Sequence, residues 1–134
     1  MGKPAARQGD QIVATDTHIV LVPSETGPRP VPMPHSFVGG LSGNLSGSVR
    51  INGRFAATVG STARNTPPHI PTPPGTAFQV PPTNMGTVLS GSGRVMINGR
   101  PAARQGDRVQ TCADPAPNMS GQLVVMGSTV MIGD

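Results

Sequence analysis

A nine-residue segment occurs twice in this chain. Gly2-Lys3-Pro4-Ala5-Ala6-Arg7-Gln8-Gly9-Asp10 returns as Gly99-Arg100-Pro101-Ala102-Ala103-Arg104-Gln105-Gly106-Asp107, identical at eight of nine positions. A degenerate third copy, Gly53-Arg54-Phe55-Ala56-Ala57-Thr58-Val59-Gly60-Ser61, lies between them. The copies begin at residues 2, 53 and 99, spacings of 51 and 46 residues. A period of this size marks a structural unit that cannot bury its apolar face alone and has to pack on its neighbours. The 134 residues leave room for one domain. A single domain over 1–134, with three copies sharing one core, is therefore expected.

What precedes each copy gives the unit its shape. Val49-Arg50-Ile51-Asn52 leads into the second copy and Val95-Met96-Ile97-Asn98 into the third. Each is a short alternating run that ends in Asn-Gly. That dipeptide tolerates the two positive φ angles of a type I′ turn, so each copy reads as a β-hairpin. The first copy lacks a leading strand. Val130-Met131-Ile132-Gly133-Asp134 has the missing pattern, and the C-terminal strand, 129–133, is expected to complete the first copy and close a ring of three hairpins. The Ala-Ala pair in each copy points to close approach at that position. Leu123–Met126 followed by Thr129–Ile132 reads as a further hairpin.

Composition narrows the class. With 18 glycines and 16 prolines, long helices are disfavoured, which leaves an all-β fold with many turns. The Pro-alternating stretch 27–34 and the stretches 67–74 and 80–82 read as stiff extended connectors rather than central strands. Gly39–Gly47 reads as a loose loop. One Cys excludes an intrachain disulfide framework, and no apolar run reaches the length of a membrane span or a signal peptide. This points to manufacture in the cytoplasm. The net charge is +4, but the basic residues are spread singly from Lys3 to Arg108 and aromatics number three, so no nucleic-acid interface is expected. The core is thin, and a thin core calls for another source of stability.

The chain holds three histidines and one cysteine. His18 lies 16 residues after Gly2, His69 lies 16 after Gly53, and Cys112 lies 13 after Gly99; His35, beside Pro34, is the extra one. One nitrogen or sulfur donor thus follows each copy at a similar offset. Four such donors suit the tetrahedral preference of zinc. Four protein ligands leave no open position for a water, and Glu25 is the only glutamate, so a structural site is favoured over a catalytic one.

Pro4-Ala5-Ala6-Arg7 and Pro101-Ala102-Ala103-Arg104 spell the motif of the PAAR-repeat family, which this chain resembles over essentially its whole length. Phe55-Ala56-Ala57-Thr58 departs from the motif by losing Pro and Arg. The resemblance implies a small β-rich cone with pseudo-threefold hairpin repeats. It also implies one structural zinc at the vertex, held by three His and one Cys, for which His18, His35, His69 and Cys112 match by type; iron also fits such a set. The partner implied is the trimeric β-helical spike of a contractile injection system, such as type VI secretion, an extracellular injection particle or a phage-like tail. One monomeric tip would sit on each trimer. The contact falls on the hairpins, at Val49, Ile51, Val95, Ile97, Val130 and Ile132. The implied role is a non-enzymatic tip that sharpens the spike, touches the target membrane transiently and is made in the bacterial cytoplasm before being ejected. No toxin extension is expected beside the repeats. Two alternatives stand beside this. One is an adaptor that carries effectors on the Gly39–Gly47 loop or the Pro-rich segments. The other is a small zinc hydrolase with Glu25 or Asp114 as its base.

Overall fold

The computed structural model describes residues 2–133; Met1 and Asp134, the outermost residues of the expected domain, lie outside the described range. The described residues form strands and turns without helix. In chain order the strands are β1 (Lys3–Pro4), β2 (Gln11–Val22), β3 (Arg29–Gly43), β4 (Arg50–Ile51), β5 (Arg54–Phe55), β6 (Thr62–Asn65), β7 (Ala77–Phe78), β8 (Met85–Val88), β9 (Met96–Ile97), β10 (Arg100–Pro101), β11 (Arg108–Thr111), β12 (Asn118–Val124) and β13 (Met131–Ile132).

The repeats build the base. β4 pairs β5 and β9 pairs β10 across Asn-Gly turns, with φ of 50° and 80° at Asn52 and Gly53 and 52° and 80° at Asn98 and Gly99. β1 pairs β13 in the same register: Lys3 faces Ile132 as Arg54 faces Ile51 and Arg100 faces Ile97. Ile51, Ile97 and Ile132 turn inward against Ala5, Ala56 and Ala102 and form a small cluster of their own.

Above this layer the second alanine of each motif meets its two counterparts. Ala6 N–H donates to Ala103 O at 2.9 Å, Ala57 N–H to Ala6 O at 3.0 Å, and Ala103 N–H to Ala57 O at 3.0 Å. The three bonds close a cycle about a pseudo-threefold axis. Gln8, Val59 and Gln105 repeat the cycle by donating to Phe55, Pro101 and Pro4 at 2.9 Å each. Three backbones converging on one axis leave no space for a larger side chain, and all six alanines are fully buried.

Each copy then sends two strands upward, and β2-β3-β6-β8-β11-β12 close into a six-stranded antiparallel barrel through the β12–β2 pairing. Closure gives each of these six strands a partner on both sides where the barrel is complete. Inward positions alternate along each strand. Ile12, Phe37, Leu41, Val88, Val109 and Leu123 fill the interior, each at most 1 % exposed.

Three segments differ from the sequence reading. Pro30, Pro32 and Pro34 lie inside β3, in continuous register with β2 from Val22↔Arg29 to Gln11↔Gly40. Prolines at alternate positions share one edge, so their missing N–H groups all fall on the side away from β2 and no ladder bond is lost. Residues 39–43 of the expected loose loop continue β3 and pair with β6, because a side chain at Gly39 would meet Arg64 O at 2.6 Å and Leu41 is buried in the core. The expected hairpin between Leu123–Met126 and Thr129–Ile132 does not form; β12 pairs with β11 and β2 in the barrel, while β13 drops to the base.

Candidate metal centre

The inward alternation of β2 continues beyond Ile12 to Asp16 and His18. The barrel interior therefore changes from apolar to polar along its axis. Asp16, Asn65 and Thr111 form a buried polar layer, and the imidazoles stand above it. One oxygen of Asp16, Oδ1, accepts from the Thr111 hydroxyl and from Asn118 Nδ2, the latter at 3.2 Å. The other, Oδ2, faces His69 Nε2 at 3.4 Å and Cys112 Sγ at 3.7 Å. Cys112 Sγ lies 3.6 Å from His18 Nε2. Donor atoms of Asp16, His18, His69 and Cys112 all fall within 4.8 Å of one another.

His35 stands beside this group. Its ring centroid is 5.4 Å from that of His18 and 5.5 Å from that of His69, and the His18–His69 separation is 4.9 Å. Imidazoles sharing one tetrahedral metal at ~2.0 Å place their centroids roughly 5 Å apart. His35 Nδ1 donates to Met33 O at 3.0 Å, which leaves Nε2 with a lone pair, 3.0 Å from Thr72 Oγ1. Phe78 packs on His18 and His35 at 5.6 and 5.3 Å.

Neighbouring groups orient the donors. Asp114 Oδ2 accepts from His18 Nδ1 at 3.1 Å, the carboxylate–imidazole arrangement that fixes which nitrogen faces a metal. Asn65 Oδ1 accepts from Val38 N–H at 3.0 Å, which turns its Nδ2 toward His69 Nδ1 at 3.1 Å. Burial pushes the His69 pKa below its ordinary value; the Asp16 contact works against this and the neighbouring His18 and His35 add to it. Burial likewise pushes the Cys112 thiol up, opposed by a hydrogen bond to the Asn84 backbone and reinforced by the Asp16 charge. Two imidazoles, a thiol and a carboxylate, buried or half-buried and converging, have the chemistry of a zinc or iron site.

Asp16 is absent from the expected ligand set, although its place two residues before His18 on an alternating strand puts it on the same inward face. Of the residues expected to meet a partner, Ile51, Ile97 and Ile132 are 7, 8 and 5 % exposed and pack inward, Val95 is partly buried beside them, and Val49 and Val130 are on the surface. Met96 and Met131, on the alternate face of the same hairpins, are 57 and 62 % exposed.

The family model described as PAAR motif matches residues 79–134, the stretch that carries the third copy and the C-terminal strand. Over that stretch the chain carries the PAAR motif and is similar to the PAAR-repeat family. No curated protein and no solved structure matches the chain. Members of the PAAR family are structural spike tips of contractile injection systems. The all-β fold and the candidate metal cluster are consistent with that family.

Proposed function

We propose that this protein is the non-enzymatic tip that caps and sharpens the trimeric spike of a contractile injection system. The observation that carries this reading is the cycle of backbone bonds through Ala6, Ala57 and Ala103. It gives one chain an internal threefold axis, which lets a single copy sit on the axis of a homotrimer and meet its three subunits with three related hairpins. Exposed Met96 and Met131 offer adaptable apolar contact on that base. At the other end a single zinc, held by His18, His35, His69 and Cys112 with Asp16 as the adjacent anion, ties the long connections together and lets a slender apex hold its shape during membrane puncture. Iron is the alternative occupant. The protein is made in the bacterial cytoplasm, joins the apparatus there and leaves with the spike.

Mixing the tip with its purified spike trimer and weighing the complex by native mass spectrometry tests this. One tip per trimer and one zinc per tip are expected. Three tips per trimer, or a metal-free tip after gentle purification, would overturn it. Effector attachment is a second use of the same apex, favoured by Ile70, 75 % exposed on the Pro-rich connection after β6. Capture of effectors that disappears on replacing residues 67–74 with Gly/Ser would support it.

A further inference from the structure

The three copies differ most at one pair of positions. In the first and third, the motif arginine is buried beside an aspartate three residues on: Arg7 Nε lies 3.5 Å from Asp10 Oδ2, and Arg104 Nη2 lies 2.9 Å from Asp107 Oδ1. The guanidinium also bridges neighbouring segments. Arg7 donates to Met126 O at 2.7 Å and reaches Asn52 Oδ1 at 3.4 Å, and Arg104 donates to Gly91 O at 3.3 Å. In the middle copy these positions are Thr58 and Ser61. The backbone turn is kept, since Ser61 Oγ accepts from Thr58 N–H at 3.0 Å as Asp10 Oδ2 accepts from Arg7 N–H at 2.8 Å. The space of the guanidinium is not refilled. A cavity of about 480 Å³ opens there, lined by Leu45, Thr58 and Asn98, the counterparts of Met126, Arg7 and Asn52.

Charge selects the occupant. No acid lines this cavity, and its one charged wall residue is Arg100. The Arg100 side chain has no ion pair or hydrogen bond among the described residues. Ser48 Oγ accepts from Asn98 Nδ2 at 2.9 Å and so keeps its own proton to donate, while the Thr58 hydroxyl makes only a 3.4 Å contact with Val59 O. A cationic group entering here would face Arg100 without a counter-charge. A carboxylate would meet a guanidinium and two hydroxyl donors.

We infer that this notch receives one acidic side chain of the spike on which the base docks, which rests on the spike-tip reading above. The corresponding places in the other two copies are filled by Arg7 and Arg104, so one spike subunit of the three is engaged in this way and the trimer's equivalence is broken at the tip.

Two arms test it. Arg100→Gln is expected to weaken binding to the purified spike trimer about tenfold. The double variant Thr58→Arg with Ser61→Asp, which restores the pair of the other copies and fills the notch, is expected to weaken it as much while melting no lower than the parent. Separately, acetate titrated against sodium chloride at equal ionic strength is expected to shift the amide resonances of Ser46–Ser48 and Thr58, and to stop doing so in Arg100→Gln. A filled variant that binds the spike undiminished, or acetate shifts absent from those amides, would overturn the inference. A parent protein that does not bind the spike overturns the spike-tip reading, while the acetate arm still decides whether the notch takes a carboxylate.

Discussion

A carboxylate with no exposed surface has to be matched by donors, and Asp16 is matched on both oxygens. Its Oδ1 is anchored by Thr111 and Asn118, so Oδ2 is held toward His69 and Cys112 without freedom to turn away. Partners of this kind tune the ligands they touch, and their loss typically lowers metal affinity by about 10- to 100-fold. Asp16→Asn is therefore expected to keep one zinc per chain under saturating metal but to give it up to a chelator at a correspondingly lower concentration. His69→Ala is expected to leave less than one zinc per chain by elemental analysis and to lower the melting temperature; unchanged metal and melting would remove His69 from the ligand set. Much of this centre is legible in the sequence. His18, His69 and Cys112 follow their copies at offsets of 16, 16 and 13 residues, and the structure brings them together. Asp16 escapes that reading because an aspartate is ordinarily solvated. Only the alternation Ile12, Ala14, Asp16, His18, taken together with a closed barrel, turns it inward.

At the scale of elements, the repeats announce the base hairpins because Asn-Gly dictates its own turn. The barrel strands are harder to read, for two local reasons. Alternating prolines mimic a polyproline connector, yet in β3 they occupy an edge position where no donor is needed. The glycines from Gly39 to Gly43 mimic a flexible loop, yet Gly39 and Gly43 answer close approach by Arg64 and Thr62. Gly86 is another such position. A Cβ there would lie 3.1 Å from Phe37 Cζ and 3.3 Å from Ile12 Cδ1, so the glycine on β8 makes the space in which the one aromatic of the barrel core sits. Gly86→Ala is expected to destabilise the protein by about 1–3 kcal/mol, the range of an overpacked core. A urea midpoint equal to the parent's would show that Phe37 has room to move.

For the whole molecule the question is how so thin a core holds. Part of the answer is closure. β1 and β13 pair near the two ends of the chain, and the alanine cycle ties all three copies at one level. The other candidate source is the Asp16, His18, His69 and Cys112 cluster, whose protonation sets a pH dependence of definite sign. His69 has its pKa lowered from 6.5, so below that pH the unfolded chain binds a proton that the native site resists. Its contribution is complete above 6.5 and is lost as pH falls through the folded value. Cys112 has its pKa raised from 9.0, so above that pH the unfolded chain has released a proton that the native site keeps. That contribution is complete below 9.0 and is lost as pH rises through the folded value. The chelator-treated protein is therefore expected to melt at a nearly constant temperature between about pH 6.5 and pH 9 and lower on either side. Zinc requires neutral imidazoles and a thiolate, so binding expels the Cys112 proton and strengthens as pH rises across the same plateau. The gap between zinc-loaded and chelated melting temperatures should then widen from the acid end of the plateau to the alkaline end, while the chelated curve stays flat. Differential scanning calorimetry in paired buffers reads both. A gap that stays constant with pH would mean that metal binding releases no proton, which removes Cys112 thiolate from the ligand set whatever the metal content.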